Sequence, residues 1–86
     1  MNIFVSELIG TFILIAAILS TKNKYYIALA FLLAITVSNI SKGHINPVVT
    51  LVKYIQGAVT KEETMRYVSG QVAGGLLAYY VITKVV

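Results

Sequence analysis

The sequence predicts an all-α membrane protein, with three transmembrane helices and one re-entrant half-helix in a single domain over residues 1–86. Three observations carry that fold class. Of the 86 residues, 58% are hydrophobic and 12% charged, whereas soluble domains are about half apolar and about a quarter charged. Three apolar runs near spanning length follow one another along the chain. Between the second and third lies SKGHINPVVTLVKYIQG, residues 41–57, which is only half apolar and holds the one proline and the one histidine.

A water-soluble chain of this size buries only about 60–65% of its unfolded surface, which would leave much of this apolar area wet. Cysteine is absent, so disulfide and thiolate chemistry are excluded. The net charge is +4, but Lys22, Lys24, Lys42, Lys53, Lys61, Arg66 and Lys84 are scattered singly beside the apolar runs. Basic residues there snorkel or set topology. Nucleic acid is not an expected partner; the lipid bilayer is, and the chain is expected to be a multi-pass integral membrane protein.

The first span, about residues 3–20, carries one charge, Glu7, and its 3–19 core reaches roughly 25 Å as a helix. A secretory signal would open on basic residues and hold no acid, so a retained helix is expected. After the polar turn STKNK comes the second span, about 25–40, opened by Tyr25 and Tyr26 as interfacial anchors. The third span, about 64–86, follows the start of TKEETMR, where Thr60 and Glu63 have the spacing of a capping box, and its apolar part runs from Tyr67.

The re-entrant loop and half-helix occupy 41–57. Asparagine is a preferred N-cap and proline a preferred first helical residue. A helix from Pro47 to Gly57 is about 16 Å long, half of a hydrocarbon core. A polar helix start at membrane depth is tolerated only where protein packs it or a watery cavity adjoins it. If the loop dips inward, Asn46 reaches midplane and the positive helix end points at the membrane centre. The Asn46 oxygen caps, and its NH2 is left as a donor suited to a neutral oxygen such as that of water or an alcohol. The same pattern also fits a buried N-cap with no pore beside it.

S-K-G-H-I-N-P-V-V-T-L resembles the first re-entrant loop of the aquaporin and glycerol-facilitator family, S-G-A-H-x-N-P-A-V-T. Glu7-Leu8-Ile9-Gly10-Thr11 is similar to its first-helix E-x-x-G-T, and YVSGQVAGG at 67–75 to its third-helix Y-x-x-A-Q-x-x-G-A. The resemblance covers the chain as one aquaporin-like repeat, where family members have two inverted repeats. It implies a channel subunit for water or small neutral solutes such as glycerol, with Asn46 as pore donor and Pro47 and Val48 completing the motif. It further implies that Glu7 braces the re-entrant backbone, and that Gly70, Gln71 and Gly74 are packing positions, with Gln71 also bracing. Gly10 belongs to the first-helix motif as a packing position.

The chain departs from the family pattern in three ways. Val49 stands where the second repeat carries a filter arginine, so a pore of two such halves implies a wider constriction. Lys42 and Lys53 replace small or apolar residues. In the second helix, aligning IALAF requires a gap of about five residues, whereas an ungapped count puts Tyr26 at the filter aromatic; both alignments stay open.

His44, beside the helix start, is grouped with the pore residues Asn46, Pro47, Val48 and Tyr26; it is expected to be hydrogen-bonded structurally rather than to bind metal, since a second ligand is lacking. Gly70 to Gly74 forms a G-x-x-x-G, which lets helices approach closely. No catalytic constellation, cofactor or metal site is expected, and the protein is not read as an enzyme.

One half-helix fills half the membrane depth. A homo-oligomer, including an inverted dual-topology dimer, or a separate second-repeat subunit would supply the other half. With the N-terminus on one side, Lys42, Lys61 and Arg66 share that side and Lys22, Lys24 and Lys84 the other, a weak orientation bias. The alternative reading is a non-conducting structural membrane protein that keeps this fold, for example in a viral or specialised membrane. An accessory bundle modulating another transporter is a third.

Overall fold

The computed structural model describes residues 2–85; Met1 and Val86, the ends of the expected 1–86 domain and 64–86 span, lie outside the described residues. The chain is helical throughout, without strands among those residues. Helix α1 is Ile3–Ser20, α2 is Lys24–Val37, α3 is Pro47–Ile55 and α4 is Lys61–Val85, with a 3-10 turn at Asn39–Ser41.

Each helix start has a visible cause. Asn2 Oδ1 accepts from the Val5 N–H at 2.9 Å to begin α1. Asn23 Oδ1 accepts from Tyr25 and Tyr26 at 2.9 and 3.2 Å to begin α2. Thr60 and Glu63 cap α4 reciprocally, Thr60 N–H donating to Glu63 Oε1 at 2.8 Å and Glu63 N–H to Thr60 Oγ1 at 3.1 Å. Helix α2 stops at Val37, short of residue 40. There the Ser38 hydroxyl donates to the Ala34 carbonyl at 2.6 Å and the Ser41 N–H turns back to the Ser38 carbonyl. Helix α3 ends at Ile55, and Gly57, at φ +77°, turns the chain towards α4.

Helices α1 and α4 form the most extensive pairing, running parallel with Gly70 against Phe4 and Gly74 against Leu8. A Cβ on Gly70 would stand 2.6 Å from the Phe4 carbonyl oxygen, so the two backbones nearly touch. A Cβ on Gly10 would stand 2.9 Å from Ile45 Cγ2 and from the Ser38 side chain. These contacts leave room only for hydrogen at positions 10, 70 and 74.

The interior is polar and the exterior greasy. Eight polar or charged residues are buried against four hydrophobic ones among the described residues. Leu29, Leu32, Ile55 and Leu76 are all more than half exposed. Water would penalise that distribution and a hydrocarbon solvent would favour it. By length and composition, α1 alone among the described helices is long and apolar enough to cross a membrane; α2, at 14 residues, is a shorter apolar helix.

The direction of α3 positions the site. Pro47 shares a cavity with Thr11 and Gln71, which lie near the middle of α1 and α4. Lys53 and Ala58, farther along, adjoin Glu63 near the start of α4. The chain therefore enters to mid-height as a non-helical loop and returns as a nine-residue helix, about 14 Å long.

Candidate functional site

The loop between the 3-10 turn and α3 is strained and held by one carboxylate. Lys42, Gly43 and Ile45 all have left-handed backbone, at φ +67°, +58° and +42°. For a β-branched residue such as Ile45 that conformation is a true outlier, costing of order 1–3 kcal/mol. Glu7 opposes the strain. Its Oε1 accepts from the Ile45 N–H at 2.7 Å and from Gln71 Nε2 at 2.9 Å, and its Oε2 from the Ser41 hydroxyl at 2.5 Å. The carboxylate is completely buried, and these donors replace the water it has lost.

The network continues around α3. Gln71 Nε2 also donates to Thr50 Oγ1 at 3.0 Å, and Thr50 lies 3.0 Å from His44 Nδ1. The His44 ring stacks on Tyr67 with centroids 3.9 Å apart and planes inclined by 9°. The Tyr67 hydroxyl donates to the Ser41 carbonyl at 2.6 Å. Helices α1, α3 and α4 are thus joined to the loop through polar groups that find partners within the network, Gln71 Oε1 excepted.

At the head of α3 the Asn46 Oδ1 accepts from the Val48 N–H at 2.8 Å. Asn46 is exposed, and its amide nitrogen has no acceptor within the chain among the described residues. Val48 is 64% exposed and Pro47 also faces outward. The arrangement offers a fixed donor at the positive end of a broken helix, beside apolar side chains. It suits a small neutral hydrogen-bond acceptor.

Asn46, Pro47, Val48 and His44 therefore lie on the loop and the first turn of α3, with Glu7 and Gln71 in the polar hub behind them and Gly10 beneath Ile45. Gly70 and Gly74 lie at the α1–α4 crossing. Tyr26 stands apart, exposed in the first turn of α2, at the end of the bundle where α1 finishes. No group of three His, Cys, Asp or Glu side chains able to hold a metal occurs among the described residues.

Two cavities flank the head of α3. One, about 410 Å³, opens near Lys42, His44, Lys53 and Tyr67. The other, about 420 Å³, lies between α1 and α4 beyond Pro47. Ser41, Thr50 and Tyr67 carry much of the network, yet sequence reasoning gave them no site role. Nothing in their local sequence marks Ser41 or Thr50, whose partners lie on distant elements.

A family model described as Major intrinsic protein matches residues 23–86. The chain is similar to Glycerol uptake facilitator protein-like 6 of Lactiplantibacillus plantarum, with 33% identity over 88 aligned residues that cover 91% of the chain. It spans 41% of that relative's length. No solved structure matches. With the family match spanning most of the chain and the relative covering 91% of it, this protein belongs to the major intrinsic protein family and is an integral membrane protein.

Proposed function

We propose that the chain is a multi-pass channel subunit that passes water or small neutral solutes such as glycerol, its pore assembled from two or more half-repeats. Helices α1, α2 and α4 span the bilayer, and the loop with α3 re-enters it from one face. The observation that carries this reading is the Asn46 carboxamide, its oxygen spent on capping and its nitrogen free and exposed at mid-height. A directed donor beside a positive helix end favours a neutral oxygen and disfavours cations. The family and the name of the relative support the solute class.

A single chain contributes one half-helix, and the other half comes from a second copy or a separate second-repeat subunit. The near-even division of basic residues between the two ends of the bundle supports insertion in both orientations. Labelling of tags on both termini in intact vesicles should then find each tag on both faces. One fixed orientation would exclude the inverted pair.

The decisive assay is osmotic swelling of liposomes holding the pure protein, with insertion verified. Water or glycerol permeability well above bare lipid is expected. Permeability equal to bare lipid would end the channel reading and leave the structural one.

A further inference from the structure

The cavity of about 410 Å³ beside α3 is walled chiefly by donors. Lys42, His44 and Lys53 line it, together with Glu63. Neither lysine is paired with a carboxylate or hydrogen-bonded within the chain among the described residues. Glu63, the one acid in the wall, gives its Oε1 to the Thr60 N–H at the head of α4. Both lysines stand where the family pattern has small or apolar residues, so the half-helix motif does not account for them.

His44 adds a directed group. The residue is 7% exposed, and its Nδ1 lies 3.0 Å from Thr50 Oγ1. The Thr50 hydroxyl has a single hydrogen and a second acceptor in reach, the Asn46 carbonyl at 3.3 Å. That distance is beyond the usual O–H···O range of about 2.5–3.0 Å, so the hydrogen goes to the ring. Gln71 Nε2 fills the accepting side of the same hydroxyl. With Nδ1 accepting, the neutral imidazole carries its hydrogen on Nε2. That nitrogen, across the ring from Thr50, has no partner in the chain among the described residues. A nearly buried donor left free costs of order 1–3 kcal/mol.

Two ammonium groups and one ring N–H around a single space suit a ligand that only accepts and is negatively charged. A phosphomonoester has three terminal oxygens and a charge of about −1.5 to −2 at pH 7, which matches three donors and two cations. A carboxylate has two oxygens and half that charge. Val49, Ala58 and Val59 make the rest of the wall apolar, which suits the organic part of an ester better than inorganic phosphate. The cavity also lies at the end of the bundle where α3 finishes and α4 begins. On the proposed topology that is headgroup level.

We propose that this cavity binds a phosphomonoester, carried by a lipid or by a small soluble molecule, with Lys42, Lys53 and His44 Nε2 each holding a phosphate oxygen. The site does not depend on conduction.

The single histidine makes the test direct. Protein labelled with 15N-histidine is held in neutral micelles, and the ring Nε2 signal is followed as glycerol 3-phosphate or short-chain phosphatidic acid is added. A saturable shift is expected. A shift with phosphatidic acid alone identifies a lipid source, and one with glycerol 3-phosphate shows that the free ester suffices. Lys42→Gln and Lys53→Gln should each weaken binding about fivefold or more, the loss of one charge-assisted bond. Lys61→Gln, exposed at the same end of the bundle but outside the cavity, should leave binding within twofold. Helical circular dichroism and protection of the Ile45 amide from exchange confirm the fold of each variant. No saturable shift with either ester, or equal losses from Lys61→Gln and Lys53→Gln, overturns the proposal. Permeability measured in parallel separates the two ideas. Binding without permeability sustains the site and ends the channel, while permeability without binding does the reverse.

Discussion

Replacing Glu7 by leucine leaves the Ile45 N–H with no acceptor and removes one partner each from Ser41 and Gln71. Orphaning a buried donor costs about 1–3 kcal/mol, and each lost bond of a group that keeps another partner about 0.5–1.5 kcal/mol. Interhelical bonds measured in membranes lie at the low end, near 0.6 kcal/mol on average. The sum runs from about 2 to about 6 kcal/mol, and about 4 kcal/mol is expected. Glu7→Gln is the control. Its oxygen still serves Ile45 and Gln71, and its NH2 meets the Ser41 hydroxyl, which can accept as well as donate. That change should cost about 1 kcal/mol. Unfolding in mixed micelles, followed by circular dichroism, gives both values. Exchange of the Ile45 amide gives a local readout, which should speed up at least tenfold in the leucine variant. A leucine variant within about 1 kcal/mol of wild type, or indistinguishable from Glu7→Gln, would refute the bracing argument.

Other expectations follow from the same geometry. Asn46→Asp keeps the cap on Val48 but deletes the donor, so the helix should survive while water or glycerol permeability falls at least tenfold; unchanged permeability would remove Asn46 from the pore. Gly70→Ala drives a methyl to 2.6 Å from the Phe4 carbonyl and should cost about 1–3 kcal/mol in unfolding. Gly57→Ala meets nothing within 4 Å and suffers only from φ +77°, at about 1 kcal/mol, so equal unfolding midpoints for the two would be wrong for this packing. Tyr67→Phe should retain the stack on His44 and lose about 1 kcal/mol with the bond to Ser41, measured in the same unfolding series.

The local parts of this fold are readable from the chain because their causes lie a few residues apart. Asn46 and Pro47 announce the head of α3, and Thr60 with Glu63 announces that of α4. The end of α2 is less legible. SNIS continues an apolar run, and only the hydroxyl of Ser38, bonded back to Ala34, together with the tight turn beyond it, cuts the helix short. The hub behind the loop is a different case. Glu7 stands out as a lone carboxylate in an apolar helix, but its donors come from 34, 38 and 64 residues away. Serine and threonine in such segments usually bond to their own helix, as Thr36, Ser69 and Thr83 do here. Nothing local separates Ser41 and Thr50 from them. Tyr26 reads equally as interfacial anchor or filter aromatic, because periodicity does not fix which tertiary neighbours an exposed ring will have.

The left-handed bend at Ile45 has a consequence for synthesis. Its carboxylate partner is made first, in α1, but the glutamine that steadies that carboxylate and receives Thr50 is made 25 residues after Asn46, since position 71 follows position 46. Until α4 is made, the intervening segment has no completed socket. On the proposed topology the outer helices are therefore laid down before the loop drops between them, so translation order and final architecture run in different sequences.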